Sequence, residues 1–128
     1  MILVNELRIG NLVYWNIPEK MQYKYNDGRV GSVPHEVVAI LNRSLHTIPI
    51  SLGKLDKGDY IGIPLTEEWL VRLGFKFKNG YGYTFVRGYV TKSDKYWIYH
   101  DICVKINYVH QLQNLYFALT GTELTYKI

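Results

Sequence analysis

The sequence predicts an α+β protein, an antiparallel and strongly bent β structure carrying one short and one long helix. Three observations predict it. Short β-patterned runs broken by turn residues fill most of the chain, one stretch from Asn107 to Gly121 carries a full helical period, and a shorter helix is punctuated between Thr66 and Gly74. At 128 residues, 48% hydrophobic and 20% charged, the chain is long and apolar enough for a real core and is expected to form a single domain over residues 1–128. Twelve tyrosines against four phenylalanines favour half-buried sheet positions, where the ring packs and the hydroxyl stays wet.

In chain order, residues 7–15 read as an opening strand with a kink or bulge at Gly10. Asn26-Asp27-Gly28 marks a hairpin between Met21–Tyr25 and Arg29–Val33, because Asp-Gly supplies the positive φ angles of tight turns. Glu36–Leu41 is a Val- and Ile-rich strand whose expected partner is Leu45–Ile50, and Pro34 and Pro49 belong at strand ends. Short strands and tight turns over this half suggest a partial barrel of the SH3-like kind. Residues 51–59 read as a loop.

The short helix is capped by Thr66, places Glu67 and Glu68 at the positive end of its dipole and stops at Gly74. Leu65 and Leu70 are spaced as a hydrophobic staple. Beyond it, Phe75–Lys78 and Tyr81–Val90 flank Asn79-Gly80, a strong hairpin signal, and Tyr96–Ile106 completes a three-stranded meander. Alternation in that last strand puts Tyr96, Ile98, His100, Ile102, Val104 and Ile106 on the core face. Thr122–Ile128 alternates as a terminal strand.

The long helix should be capped by Asn107 and closed by Gly121. At 100° per residue, Tyr108, Leu112, Leu115, Tyr116 and Leu119 form its core face. His110, Gln113, Asn114 and Phe117 lie opposite, a candidate interaction surface for a protein partner or a second copy of the chain.

Enzyme signatures are missing from the sequence. The four histidines, at 35, 46, 100 and 110, have no metal-ligand spacing, and no metal or other cofactor is expected. Serines 32, 44, 51 and 93 sit in turns outside any nucleophile elbow. Glu67 and Glu68 point about 100° apart on a helix and so suit capping better than shared catalysis. Asn79-Gly-Tyr-Gly-Tyr83 lies in a strand-turn-strand context, which fits a hairpin and not a phosphate loop. The one cysteine, Cys103, reads as a small core residue in a reducing cytoplasm. No apolar run reaches the ~18 residues of a membrane span, so no membrane association is expected.

A net charge of +4 and a pI near 9.1 allow an anionic partner. Lys76, Lys78, Arg87 and Lys92 interleave with Tyr81, Tyr83, Tyr89, Tyr96, Trp97 and Tyr99 in the meander. Rings that stack on bases and cations that hold phosphates are the means by which sheets bind single strands, so these ten residues form the candidate ligand face.

Three blocks, Asn5–Val13, Ile63–Phe75 and Tyr108–Gly121, resemble a family of small, functionally uncharacterised proteins carried by phages, prophages and other mobile elements of gut bacteria. The resemblance implies an accessory product acting in the cytoplasm of the host cell. Nucleic acid, nucleotides, and host or phage proteins are the partners it would meet there. The sequence therefore reads as a non-enzymatic binding protein for a nucleic acid or nucleotide-type anion. A protein-interaction module using the outer face of the 108–120 helix is the alternative.

Overall fold

The computed structural model describes residues 6–15, 34–41, 44–48, 51, 60–79, 82–85, 88–100 and 102–126. The expected hairpin at Asn26–Gly28, Pro49 and nearly all of the 51–59 loop lie outside them. The chain divides into two compact units, Met1–Ile63 and Pro64–Ile128. Both carry antiparallel sheet, the second adds one short and one long helix, and the fold class is α+β.

The first unit holds β1 (Leu12–Trp15), β2 (Pro34–Leu41), β3 (Ser44–Ile48) and β4 (Tyr60–Gly62) in the order β3-β2-β1-β4. Pro34 opens β2, where its missing N–H costs no ladder bond. Leu7, Val13, Trp15, Val37, Leu45 and Tyr60 pack as the core. The opening strand starts at Leu12, not at Leu7, because Arg8–Asn11 is a turn. Asn11 N–H donates to the Arg8 carbonyl at 3.0 Å, and Asn11 Oδ1 accepts from Arg8 N–H at 2.7 Å. Gly10 and Asn11 then both face Val37, through Gly10 N–H to Val37 O and Val37 N–H to Asn11 O, each 2.8 Å. Two residues opposing one is a bulge, placed at Gly10.

The SH3-like partial barrel is not formed: among the described residues the sheet is open, with β3 and β4 each paired on one side only. Beneath it runs a polar chain that the sequence pattern did not disclose. The Tyr60 hydroxyl lies 2.6 Å from Ser51 Oγ, Ser51 Oγ 2.7 Å from Thr47 Oγ1, and Thr47 Oγ1 3.4 Å from His35 Nδ1, all buried. Mutual bonding is what allows hydroxyls to sit in an apolar core.

The second unit contains α1 (Glu67–Arg72), β5 (Lys76–Lys78), β6 (Gly82–Phe85), β7 (Gly88–Lys92), β8 (Trp97–Tyr99), β9 (Val104–Ile106) and α2 (Val109–Thr120). The strands form one antiparallel meander in sequence order. Thr66 caps α1, its Oγ1 accepting from Trp69 N–H at 3.2 Å, while Leu65 and Leu70 are buried beside the cap. Trp69, Leu70 and Leu73 are buried, as a helix too short to be stable alone requires.

The meander has five strands where three are expected. Tyr81–Val90 is divided between β6 and β7, and Tyr96–Ile106 is interrupted by a turn in which Cys103 takes φ +53° and donates its N–H to the His100 carbonyl at 3.4 Å. That turn resets the alternation. Trp97 and Tyr99, expected outside, point into the core, while Ile102 and Cys103 are exposed. Residues 122–126 form no strand, although Leu124 is buried and Tyr126 packs its ring 5.7 Å from Trp69.

The long helix starts one residue later than expected. Tyr108 is the cap, and Gln111 Oε1 takes the backbone N–H groups of Asn107 at 2.8 Å and Tyr108 at 3.2 Å. Gly121 closes it at φ +72°. The buried stripe is Val109, Leu112, Gln113, Tyr116 with His110, turned about 90° from the expected face. Gln113 and His110 are each 1% exposed, whereas Tyr108 and Leu119 face outward.

Candidate functional site

Strand register defines two faces in the five-stranded sheet, since directly opposed residues point the same way and alternate residues point oppositely. Lys76 opposes Thr84, Thr84 opposes Tyr89, Thr91 opposes Ile98, and Ile98 opposes Lys105. With Lys78 beside Lys76, and Tyr96 and His100 flanking β8 in phase with Ile98, these residues make one surface. All of them are exposed or half-buried. The opposite face carries Tyr83, Phe85, Val90, Trp97, Tyr99 and Ile106, and Tyr116 of α2 packs on Phe85 at 5.5 Å.

The candidate ligand residues are therefore divided. Lys76, Lys78, Tyr89 and Tyr96 stand together on the outer face. Tyr83, Trp97 and Tyr99 belong to the inner one, where Tyr99 is 0% and Trp97 4% exposed, and Trp97 Nε1–H donates to the Leu65 carbonyl at 2.9 Å. Tyr99 and Trp97 cannot serve as open stacking platforms. The Tyr83 phenol is held above its ordinary value of 10.0, first by burial and then by the neighbouring Glu67 carboxylate, to which it hydrogen-bonds. Lys92 opposes Trp97 and so lies off the outer face, and Tyr81 and Arg87 lie outside the described residues.

Sequence reading missed several members of the outer face. The His100 ring lies flat on Tyr89, centroids 4.7 Å apart and planes within 4°, and its Nε2 is hydrogen-bonded to Thr91 Oγ1. Lys105 Nζ sits 4.5 Å above the Tyr96 ring. A histidine and a lysine in a segment predicted as one continuous strand were assigned to opposite faces. Only the turn at Cys103 brings them to the same one. Across the five strands the charged residues are Lys76, Lys78, Lys92 and Lys105, with no carboxylate among them. No family model, curated protein or solved structure matches this chain.

Beside this face an open cleft of about 350 Å³ is lined by Lys92, Lys95, Tyr96, Asn107, Tyr108 and Pro64, with Leu65 and Trp97 at its floor. Backbone bonds build it. The β7–β8 turn is closed by Ser93 N–H to Tyr96 O at 2.9 Å, and the segment before α1 is tied to the start of α2 by Leu65 N–H to Asn107 O at 2.9 Å. Lys92 Nζ lies 5.5 Å from the Trp97 ring centroid. Tyr96 belongs to both the cleft and the outer face.

The proposed helix surface fares differently. His110 and Gln113 are inside, leaving Asn114 half-buried and Phe117 39% exposed. No helix is long and apolar enough to cross a membrane, and no group of three metal-ligating side chains occurs, both among the described residues. Glu67 and Glu68 occupy the first turn of α1.

Proposed function

We propose that this chain is a non-enzymatic binding protein that takes a nucleic acid or nucleotide-type anion on the outer face of its five-stranded sheet. The observation that carries the reading is the composition of that face. Lys76, Lys78 and Lys105 flank the stacked Tyr89–His100 pair and the Tyr96 ring, with no carboxylate on the strands to repel phosphate. Bases stack on exposed rings regardless of sequence, and lysines neutralise the backbone, so the ligand would be a single strand rather than a specific duplex site. The resemblance of the three sequence blocks to mobile-element proteins supports an accessory role inside a host cell, where such strands and nucleotides are abundant.

Titration of the protein with labelled single strands, duplexes and cyclic nucleotides at low and high salt tests the reading. Salt-sensitive binding of single strands supports it. Absence of binding to all three ligand types at low salt would reject it. The interaction-module alternative loses two of its four surface residues to the core and is not preferred.

A further inference from the structure

The outer face does not account for the cleft next to it. Lys92 and Lys95 project from the β7–β8 turn on one side, and Asn107 and Tyr108, which precede α2, form the other. Among the described residues none that lines the cleft is acidic, Asp94 of the β7–β8 turn lying outside the lining. The first turn of α2 is likewise free of acidic side chains, so the positive end of a 12-residue helix dipole is not offset from its own side chains. Tyr96 and Tyr108 contribute rings at the rim, and the volume of about 350 Å³ is at the small end of pockets that hold one small ligand.

We propose that this cleft takes a nucleotide through a terminal phosphate monoester, the inference resting on the reading of the outer face as a strand-binding surface. Two lysines in a lining that holds no carboxylate match a group that carries between one and two negative charges near neutrality. An internal phosphodiester carries only one. A monoester is thus discriminated from the rest of a strand by charge. Continuity through Tyr96 provides the path: a strand lying on the sheet passes over that ring and ends in the cleft. The same chemistry is offered by the end of a strand or by a free mononucleotide.

The test uses the full chain and three oligothymidylates with an internal dye: 5′-phosphorylated, 3′-phosphorylated and unphosphorylated. One phosphorylated strand is expected to bind roughly five- to tenfold tighter than the unphosphorylated one, the worth of one charge-assisted contact at a wet site. Lys92→Ala with Lys95→Ala should erase that preference, read as the ratio of phosphorylated to unphosphorylated affinity in the same variant. Thymidine monophosphate, with thymidine as control, separates the sources. If it removes the preference, free nucleotides also occupy the cleft; if it does not, strand ends alone do. Equal binding of all three strands, or a preference that survives the double substitution, overturns the cleft assignment while leaving the face reading intact. Failure of every strand to bind overturns both.

Discussion

Gly88 begins β7 with φ +138°, and a Cβ built there would overlap the Tyr99 hydroxyl and lie 2.5 Å from Tyr99 Cζ. Tyr99 is fully buried and opposes Val90 in the ladder, so the ring has no room to withdraw. Gly88→Ala therefore combines a strained backbone, about 1–3 kcal/mol, with overpacking of the core, a further 1–3 kcal/mol or so. A loss of about 4 kcal/mol follows from these two contributions. Gly121 separates them, because at φ +72° it has nothing within 4 Å of the added carbon. Gly121→Ala should cost only about 1 kcal/mol, the left-handed penalty less the entropy that alanine removes from the unfolded chain. Urea denaturation of the two variants beside the parent gives the difference directly, read at unchanged m-value. Since Tyr89 follows Gly88 and stacks on His100, the Gly88 variant should also weaken strand binding, and the Gly121 variant should not. Equal destabilisation by the two substitutions would refute the claim that Tyr99 is clamped against β7.

Thr66→Ala removes the cap of α1 and should cost about 1 kcal/mol in the same urea assay, with Thr66→Ser restoring most of it. Tyr83 has its phenol raised in the fold, so its contribution to stability is complete below the unfolded value and is lost as pH rises through the folded one. Stability should accordingly decline above about pH 10, where tyrosine ionises in the unfolded chain, and Tyr83→Phe should flatten that decline in a pH series of denaturation midpoints. Phe117→Glu places a charge on the exposed side of α2 and should leave strand affinity and the light-scattering mass unchanged. A fall in mass would revive the helix-mediated association.

Local chemistry was the part of the fold most readily read from the chain. Thr66, the Leu65–Leu70 staple and Gly121 act within a turn or two of themselves, so their roles follow from neighbours in sequence. Face assignments did not, because they accumulate phase along a segment. The turn at Cys103 shifts the phase between β8 and β9: Ile106 is buried and Lys105 exposed as the alternation predicts, whereas in β8 Trp97 and Tyr99 go inside and His100 stands on the outer face. In α2 the phase is the difference: centring the apolar stripe on Tyr108, Leu115 and Leu119 puts His110 and Gln113 outward, yet both are buried, and the stripe they share with Val109 and Tyr116 sets the rotation of the helix. The lysines of the candidate site were legible as a basic, aromatic segment, but Lys105 joined it only through strand pairing.

The outer sheet face, with its lysines around the Tyr89–His100 stack, is the proposed seat of binding. Binding of an oligothymidylate measured across a salt series should give a log–log slope of roughly −2, as expected if Lys76, Lys78 and Lys105 each neutralise one phosphate of a single strand. Lys76→Glu with Lys105→Glu should abolish that binding without changing the free energy of unfolding in urea by more than about 1 kcal/mol, as befits exposed positions. Strand affinity that persists in this double variant, or that is indifferent to salt, would contradict that assignment.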